Sequence, residues 1–166
     1  MKKVEVFFDY NCPYCFKGHQ SFAELLRDKP DLEVVWHPCE ISVYKDPSVP
    51  TNNDISLQAM YYAAEQKLDL MQFHEKVYNL IFTDKINTHD IDTFVNSLAG
   101  FLDAASLRHA LENRKYLDKL KASNHYAFKE TGVHVVPTYR ADGGFLQDRQ
   151  EFYGLGVSDT SYHGTK

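Results

Sequence analysis

Two cysteines separated by two residues, Cys12 and Cys15, are the residues of this 166-residue chain best suited to chemistry. Such a pair can close a small disulfide ring, and its reactivity depends on which thiol is held as the thiolate. Pro13 favours the first position of a helix, because its missing N–H would be unpaired there. Cys12 is therefore predicted at the N-cap, where its sulfur would accept amide hydrogens near Cys15 and the helix dipole would stabilise its thiolate. Cys15, one turn further, is predicted to keep the higher pKa and to be the resolving thiol.

The flanking residues predict the elements that position this pair. Residues Lys3 to Phe8 alternate loosely and are rich in valine and phenylalanine, as in a buried strand. From Pro13 onward, apolar residues recur at helical spacing until Lys29 and Pro30 end the pattern. Leu32 to His37 then predicts a second strand, so that the first ~40 residues have the β-α-β order of a parallel crossover unit.

The middle of the chain, from about residue 54 to residue 130, predicts helices and no strand. Apolar stripes favour five helices, at Ser56–Lys67, Leu70–Phe82, Asp90–Leu98, Ala104–Asn113 and Tyr116–Lys129. Strand character returns at Val133–Tyr139, and residues 142–144 predict a hairpin turn into Phe145 and Leu146. Beyond them, Tyr153–Val157 predicts no more than a helical stub.

Composition limits the compartment and the partners. An apolar content of 43% in 166 residues is enough for one sizeable core. The net charge of -5 predicts neither nucleic acid nor a membrane surface as a partner. We see no secretory signal and no membrane span. We therefore expect a cytoplasmic protein, in which structural disulfides are rare and three cysteines indicate chemistry.

Four segments together resemble the DsbA-like branch of the thioredoxin superfamily, particularly its cytoplasmic FrnE-like members and the related 2-hydroxychromene-2-carboxylate isomerases. These segments are Phe7–Cys15, Val34–Pro38, Phe73–Glu75 and Glu130–Tyr139. The resemblance implies an α/β thioredoxin fold with an inserted all-helical domain. Residues 1–53 and 131–166 would form the thioredoxin-like domain and residues 54–130 the insertion, in the order that periodicity also indicates.

The resemblance also implies an activity, which is exchange or isomerisation of disulfides in proteins or small molecules, with Cys12 and Cys15 as the catalytic pair. Pro13, Tyr14, Val136 and Pro137 would contact the substrate, with Pro137 in the cis form against the cysteines. No metal and no bound cofactor are expected, and glutathione is a candidate redox partner. Because Cys-Pro-Tyr-Cys is also the glutaredoxin motif, we expect a potential of roughly -200 to -230 mV.

Alternatives remain open at this point. The same fold could carry a glutathione-dependent isomerase or transferase. The chain could also be a non-catalytic module that binds a peptide, or zinc completed by His19, His37 or Cys39. We interpret His19 as a surface or boundary residue rather than a proton-transfer group, and Cys39 as a buried thiol rather than a second redox thiol. Pro137 could instead be a trans residue in an edge strand.

Overall fold

The computed structural model describes residues 3–41, 44, 46, 48, 50–142, 144 and 145. Within these ranges one sheet contains four strands in the order β2-β1-β3-β4. They are β1 (Lys3–Phe8), β2 (Glu33–Pro38), β3 (Thr138–Ala141) and β4 (Gly144–Phe145). Strand β1 is parallel to β2 and antiparallel to β3, which is antiparallel to β4. The predicted β-α-β start and late hairpin are therefore confirmed.

Helix α1 (Pro13–Asp28) connects β1 to β2 and covers one face of the sheet. Its Phe22 and Leu25 join Val4, Val6 and Tyr139 in a buried cluster. Each of these side chains is almost completely removed from water, and burial of such groups contributes about 1.5–3 kcal/mol apiece. This packing fixes the first turn of α1 directly after the carboxyl end of β1.

The segment between β2 and β3 is helical in the part that the structure describes. It contains α2 (Ile55–Glu65), α3 (Leu70–Phe82), α4 (Ile91–Ser97), α5 (Ala104–Glu112), α6 (Leu117–His125) and a π-helical turn, Tyr126–Glu130. Helices α2 to α5 begin after an aspartate whose side chain accepts backbone N–H groups of the first turn, namely Asp54, Asp69, Asp90 and Asp103. These caps satisfy amides that a helix start otherwise leaves unpaired.

The helices pack directly onto the end of β1 instead of forming a separate core. The larger buried cluster contains Phe7 and Phe8 of the sheet together with Leu57, Phe73 and Phe94 of the helices. Residues from both predicted domains therefore share one apolar interior. The division of the chain into a thioredoxin-like domain and a helical insertion, at residues 53/54 and 130/131, stays a prediction.

Two details differ from the sequence-based expectations. The predicted strand Val133–Tyr139 is wrong over its first five residues, because β3 begins only at Thr138. Pro137 has no N–H to donate to a sheet, and Thr138 Oγ1 donates to the Val135 carbonyl at 2.6 Å, so the chain turns here instead. The predicted helix Tyr116–Lys129 is divided into α6 and the π-helical turn.

Leu146 and the predicted stub Tyr153–Val157 lie outside the described residues. Of the helices in the described ranges, none is both long enough and apolar enough to cross a membrane.

Candidate active site

Cys12 lies at the junction between β1 and α1. Its backbone is extended, with φ -97° and ψ 119°, and Pro13 is the first residue of the helix. The Cys12 amide donates to the Asp9 carbonyl at 3.0 Å, while its own carbonyl accepts the amides of Cys15 and Phe16. The predicted N-cap position of Cys12 is confirmed, and its half-buried side chain stands at the positive end of the helix.

The Cys12 sulfur does not make the predicted bond to the helix amides. Its side chain forms no capping hydrogen bond, and its Sγ instead donates to the Val136 carbonyl at 3.6 Å. The physical reason is that the backbone carbonyl of Cys12 already accepts the Cys15 amide at 3.0 Å. The Cys12 sulfur therefore lies at the positive end of the helix without a direct bond to the Cys15 amide.

Cys15 has the opposite environment, with an exposed fraction of 2%. Burial raises the pKa of the Cys15 thiol well above its usual value, and the hydrogen bond and charge of Cys12 raise it further. A backbone hydrogen bond from Asp9 acts in the other direction. The pair therefore consists of one accessible thiol and one shielded thiol, and both are unbridged in this structure.

Val136 and Pro137, far away in the chain, complete the surroundings of Cys12. The peptide bond between them is cis, and both residues are buried directly before β3. Pro137 is thus not a trans residue of an edge strand. Tyr14, by contrast, is 58% exposed beside Cys12. The structure brings the Val136 carbonyl to the cysteine, with Pro13 and Tyr14 adjacent in the chain.

Asp9 is a site residue that sequence reasoning missed. It is 1% exposed, and its Oδ1 accepts both the backbone amide and the Nδ2 of Asn11 at 3.0 Å. Its Oδ2 accepts the Ile41 amide at 3.2 Å. Burial and the charge of Asp54 raise the pKa of Asp9 to about 7, although these hydrogen bonds oppose the shift. The available signal was a charged residue directly after a buried strand.

Two histidines, His19 of α1 and His74 of α3, are buried in the protein interior. His19 is buried, with 8% of its surface exposed, so its interpretation as a surface or boundary residue is wrong. Its ring packs against those of His74 and Tyr78, at centroid distances of 5.8 and 5.6 Å. Burial lowers the pKa of His19 to about 4 and that of His74 well below its usual value. Both rings are therefore uncharged at neutral pH. His74 Nδ1 also forms a hydrogen bond with the Tyr10 hydroxyl at 2.6 Å.

Cys39 follows β2 and is completely buried, as predicted. Burial raises the pKa of its thiol well above its usual value, and the charges of Asp9, Glu40 and Cys12 add to the shift. His37 lies on the sheet, where its Nε2 is 3.1 Å from Glu5 and its ring stacks on Phe7. Within the described ranges, no group of three or more His, Cys, Asp or Glu side chains could hold a metal ion.

Comparison with known proteins agrees with this geometry. The family described as "DSBA-like thioredoxin domain" matches residues 3–155. An uncharacterized protein of Bacillus subtilis, YwbO, is 28% identical over 170 residues, which cover 82% of this chain and 84% of the relative. These findings confirm the predicted family.

Solved structures with the same fold include a 2-hydroxychromene-2-carboxylate isomerase, with a TM-score of 0.73, 14% identity and 92% of each chain covered. A probable DsbA oxidoreductase of Streptomyces coelicolor has a TM-score of 0.70 at 18% identity, covering 86% of this chain and 81% of its own. The DsbA of Pseudomonas aeruginosa has a TM-score of 0.69 at 17% identity, with coverages of 90% and 74%. The predicted fold, a DsbA-like thioredoxin fold, is confirmed.

Proposed function

Since the chain belongs to the DSBA-like thioredoxin domain family, we propose that it is a thiol-disulfide oxidoreductase acting through Cys12 and Cys15. The observation that carries the proposal is the contrast between these two thiols. Cys12 is accessible at a helix N-terminus, and Cys15 is buried one turn further along the same helix. A disulfide exchange cycle needs this pair, because one thiol must meet the substrate and the other must stay shielded until the mixed disulfide forms.

The proposed cycle begins with the Cys12 thiolate. It attacks one sulfur of a substrate disulfide, an S–S bond to Cys12 forms, and the second substrate sulfur leaves as a thiolate with the electron pair. Cys15 then attacks the Cys12 sulfur, which forms the Cys12–Cys15 disulfide and releases the first substrate sulfur. The substrate gains two electrons and the protein loses two. The same steps in reverse oxidise a substrate dithiol.

Substrate binding is proposed at the surface around the Cys12 sulfur. The Val136 carbonyl lies 3.6 Å from Cys12 Sγ and is held there by Pro137 and β3. An extended peptide could pair with this backbone in the manner of an added strand. Tyr14, which is 58% exposed, and Pro13 would contact the residues next to the substrate sulfur. Exposed aromatic area beside the reactive thiol favours apolar neighbours in the substrate.

A 2-hydroxychromene-2-carboxylate isomerase has the same fold. The fold alone therefore does not distinguish disulfide exchange from a glutathione-dependent isomerase or transferase activity. The presence of Cys15 beside Cys12 supports exchange, because a resolving cysteine has a role only where a mixed disulfide must be broken. Glutathione is the proposed small-molecule partner, and the cytoplasm is the proposed compartment. Metal analysis of the reduced protein would distinguish this proposal from the zinc-binding alternative.

A trapping experiment tests the proposed roles. The Cys15→Ser variant, treated with oxidised glutathione, should accumulate one glutathione adduct on Cys12, because attack survives and resolution does not. The Cys12→Ser variant should form no adduct and catalyse no exchange. Cys39→Ser is the matched control, since it removes a buried thiol outside the pair and should keep wild-type turnover. Peptide mapping by mass spectrometry locates the adduct, and adducts found mainly on Cys39 would refute the assignment.

A further inference from the structure

A groove beside the end of α6 is lined by aromatic and basic side chains, outside the cysteine pair. Its volume is about 410 Å³, which is within the range of ligand pockets in proteins. Tyr44, from the segment after β2, and Phe128, from the π-helical turn, form an apolar wall with ring centroids 5.0 Å apart. Lys121, His125 and Lys129 line the same groove. Tyr44 is 47% exposed, so its ring is available for contact.

The basic side chains give this groove a positive lining in a chain whose net charge is -5. Among the described residues that line it, none is acidic. His125 is partly neutralised, because its Nε2 is 3.7 Å from Glu130 Oε1. Lys121 and Lys129 are exposed, and neither forms an ion pair within the described ranges. The groove is therefore electrostatically complementary to an anionic partner.

The floor of the groove is fixed by a buried carboxyl group, that of Glu40, which is 3% exposed. Its Oε1 accepts the Asn52 amide at 2.6 Å and Asn124 Nδ2 at 2.8 Å. Asn124 Oδ1 accepts the Glu40 amide at 2.8 Å. Asn52 has a φ of 62°, in the left-handed region that asparagine tolerates better than most residues. Because these bonds hold the floor in one conformation, binding requires little ordering of it.

The basic groups are spread along the helix instead of converging on one point. Lys121 and Lys129 are eight residues apart in the chain, which corresponds to about 12 Å along a helix. This length matches about four residues of an extended polypeptide. A small carboxylate could contact one of these lysines, whereas an extended segment with two acidic residues could contact both.

A short path connects the floor of the groove to Cys12. Asn52 precedes Asp54 by two residues, and Asp54 Oδ2 accepts Asn11 Nδ2 at 2.8 Å, directly before Cys12 in the chain. Since two residues span at most about 7 Å, the floor lies within roughly 20 Å of Cys12. An extended segment of about six residues covers this distance. One polypeptide can therefore present a cysteine to Cys12 and an acidic segment to the groove.

We propose that the groove binds an acidic segment of a protein substrate, with two carboxylates at Lys121 and Lys129 and an apolar side chain against Tyr44 and Phe128. This inference rests on the proposed disulfide exchange, because it names the class of protein that is the substrate. Docking forms no covalent bond, and it raises the effective concentration of the substrate disulfide at Cys12. Its effect is therefore on half-saturation and not on the maximal rate.

Two matched peptides test the docking. Each contains one cysteine in a mixed disulfide with 2-thiopyridine and, about six residues away, either Glu-Ala-Phe-Glu or Gln-Ala-Phe-Gln. Release of the thiopyridine by reduced protein is measured against peptide concentration in single turnovers. The acidic peptide should half-saturate at a concentration at least about 3-fold lower, with the same maximal rate. The factor is modest because exposed ion pairs are individually weak, and it should approach one at an ionic strength of about 1 M.

Paired lysine variants distinguish the groove from the overall charge. Lys121→Gln with Lys129→Gln should abolish the preference for the acidic peptide and keep the wild-type rate with bis(2-hydroxyethyl) disulfide, a small uncharged substrate. Lys115→Gln with Lys119→Gln is the matched control, because it changes the net charge equally at two lysines outside the groove, and it should keep the preference. Tyr44→Ala should remove the advantage that phenylalanine has over alanine in the acidic peptide.

Equal half-saturation by the two peptides at low ionic strength would overturn the inference, and this comparison needs no variant. A preference that survives Lys121→Gln with Lys129→Gln would overturn it as well. Benzoate that displaces the acidic peptide at equal concentration would instead indicate a site for small carboxylates. A concentration-dependent dimer that the same variant abolishes would make the groove an interface between copies, and both results contradict substrate docking. A wild type that does not react with bis(2-hydroxyethyl) disulfide would refute the exchange itself, and the substrate with it.

Discussion

Acidification should destabilise the protein through His19, and the size of the effect follows from its burial. The folded-state pKa of His19 is about 4, against an ordinary value of 6.5. The unfolded chain therefore binds the proton first as the pH falls. The stability that His19 provides is complete above about pH 6.5 and is lost towards pH 4. Since each pKa unit corresponds to about 1.4 kcal/mol, the loss between neutral pH and pH 4 is about 3 kcal/mol.

The same pH range contains an opposing effect from Asp9. Its folded-state pKa is about 7, against an ordinary value of 3.8, so the folded protein binds this proton first. The contribution of Asp9 to the free energy of unfolding is complete below about pH 4 and is lost as the pH rises towards 7. The change in the wild-type free energy of unfolding with pH is thus the difference between the opposing contributions of His19 and Asp9. A comparison between wild type and a His19 variant removes the Asp9 term.

The experiment compares urea unfolding of the wild type and His19→Asn at several pH values. Trp36, the only tryptophan of the chain, is packed at a centroid distance of 5.7 Å from Phe22 and reports unfolding by its fluorescence. Between neutral pH and pH 4 the wild type should lose about 3 kcal/mol more than the variant. His125→Asn is the matched control, because the side chain of His125 is 63% exposed, and it should follow the wild type. If the free energies of unfolding of the wild type and His19→Asn changed in parallel with pH, the reasoning would be refuted.

Three further predictions concern single groups. The Cys12 thiol should titrate below the value of about 8.5 of a free cysteine, because the helix dipole stabilises its thiolate, and the ultraviolet absorbance of a Cys15→Ser, Cys39→Ser protein against pH measures this directly. Cys39→Ala should keep the wild-type rate of glutathione exchange, and a lost activity would assign Cys39 a redox role. Phe73→Ala should lower the free energy of unfolding by about 3–5 kcal/mol in urea titrations, since Phe73 is completely buried between sheet and helices.

Local features of the sequence predict much of this fold. The bounds of β1 and α3 agree with the periodicity residue by residue, because both elements bury a regular pattern of apolar side chains. Pro13 places the start of α1, and an aspartate precedes each of four later helices. Each of these signals acts within a few residues, where propensity and capping decide the structure.

Burial by distant elements could not be predicted in the same way. His19 has the spacing of a boundary residue in α1, and it is buried only because α3 brings His74 and Tyr78 against it. Asn11 and Asp54 are 43 residues apart, and nothing in either segment indicates that one amide joins two carboxyl groups. Sequence periodicity assigns a side chain to a face but does not say which charged group lies opposite it.

The contrast between Cys12 and Cys15 illustrates this limit at the site itself. The motif predicts which sulfur meets the substrate, because the start of a helix is a local property. The pKa of Cys15 instead is raised first by burial, then by the hydrogen bond and charge of Cys12, with a smaller effect of the Asp9 charge. The pKa of Asp9 is in turn raised by burial and by the charge of Asp54 at the start of α2. A redox potential estimated from Tyr14 alone therefore leaves out the buried charges. Tyr14 faces solvent, whereas Asp9 is buried and its pKa is raised by Asp54 of the helical segment. The helical segment should therefore influence the exchange chemistry as well as substrate binding.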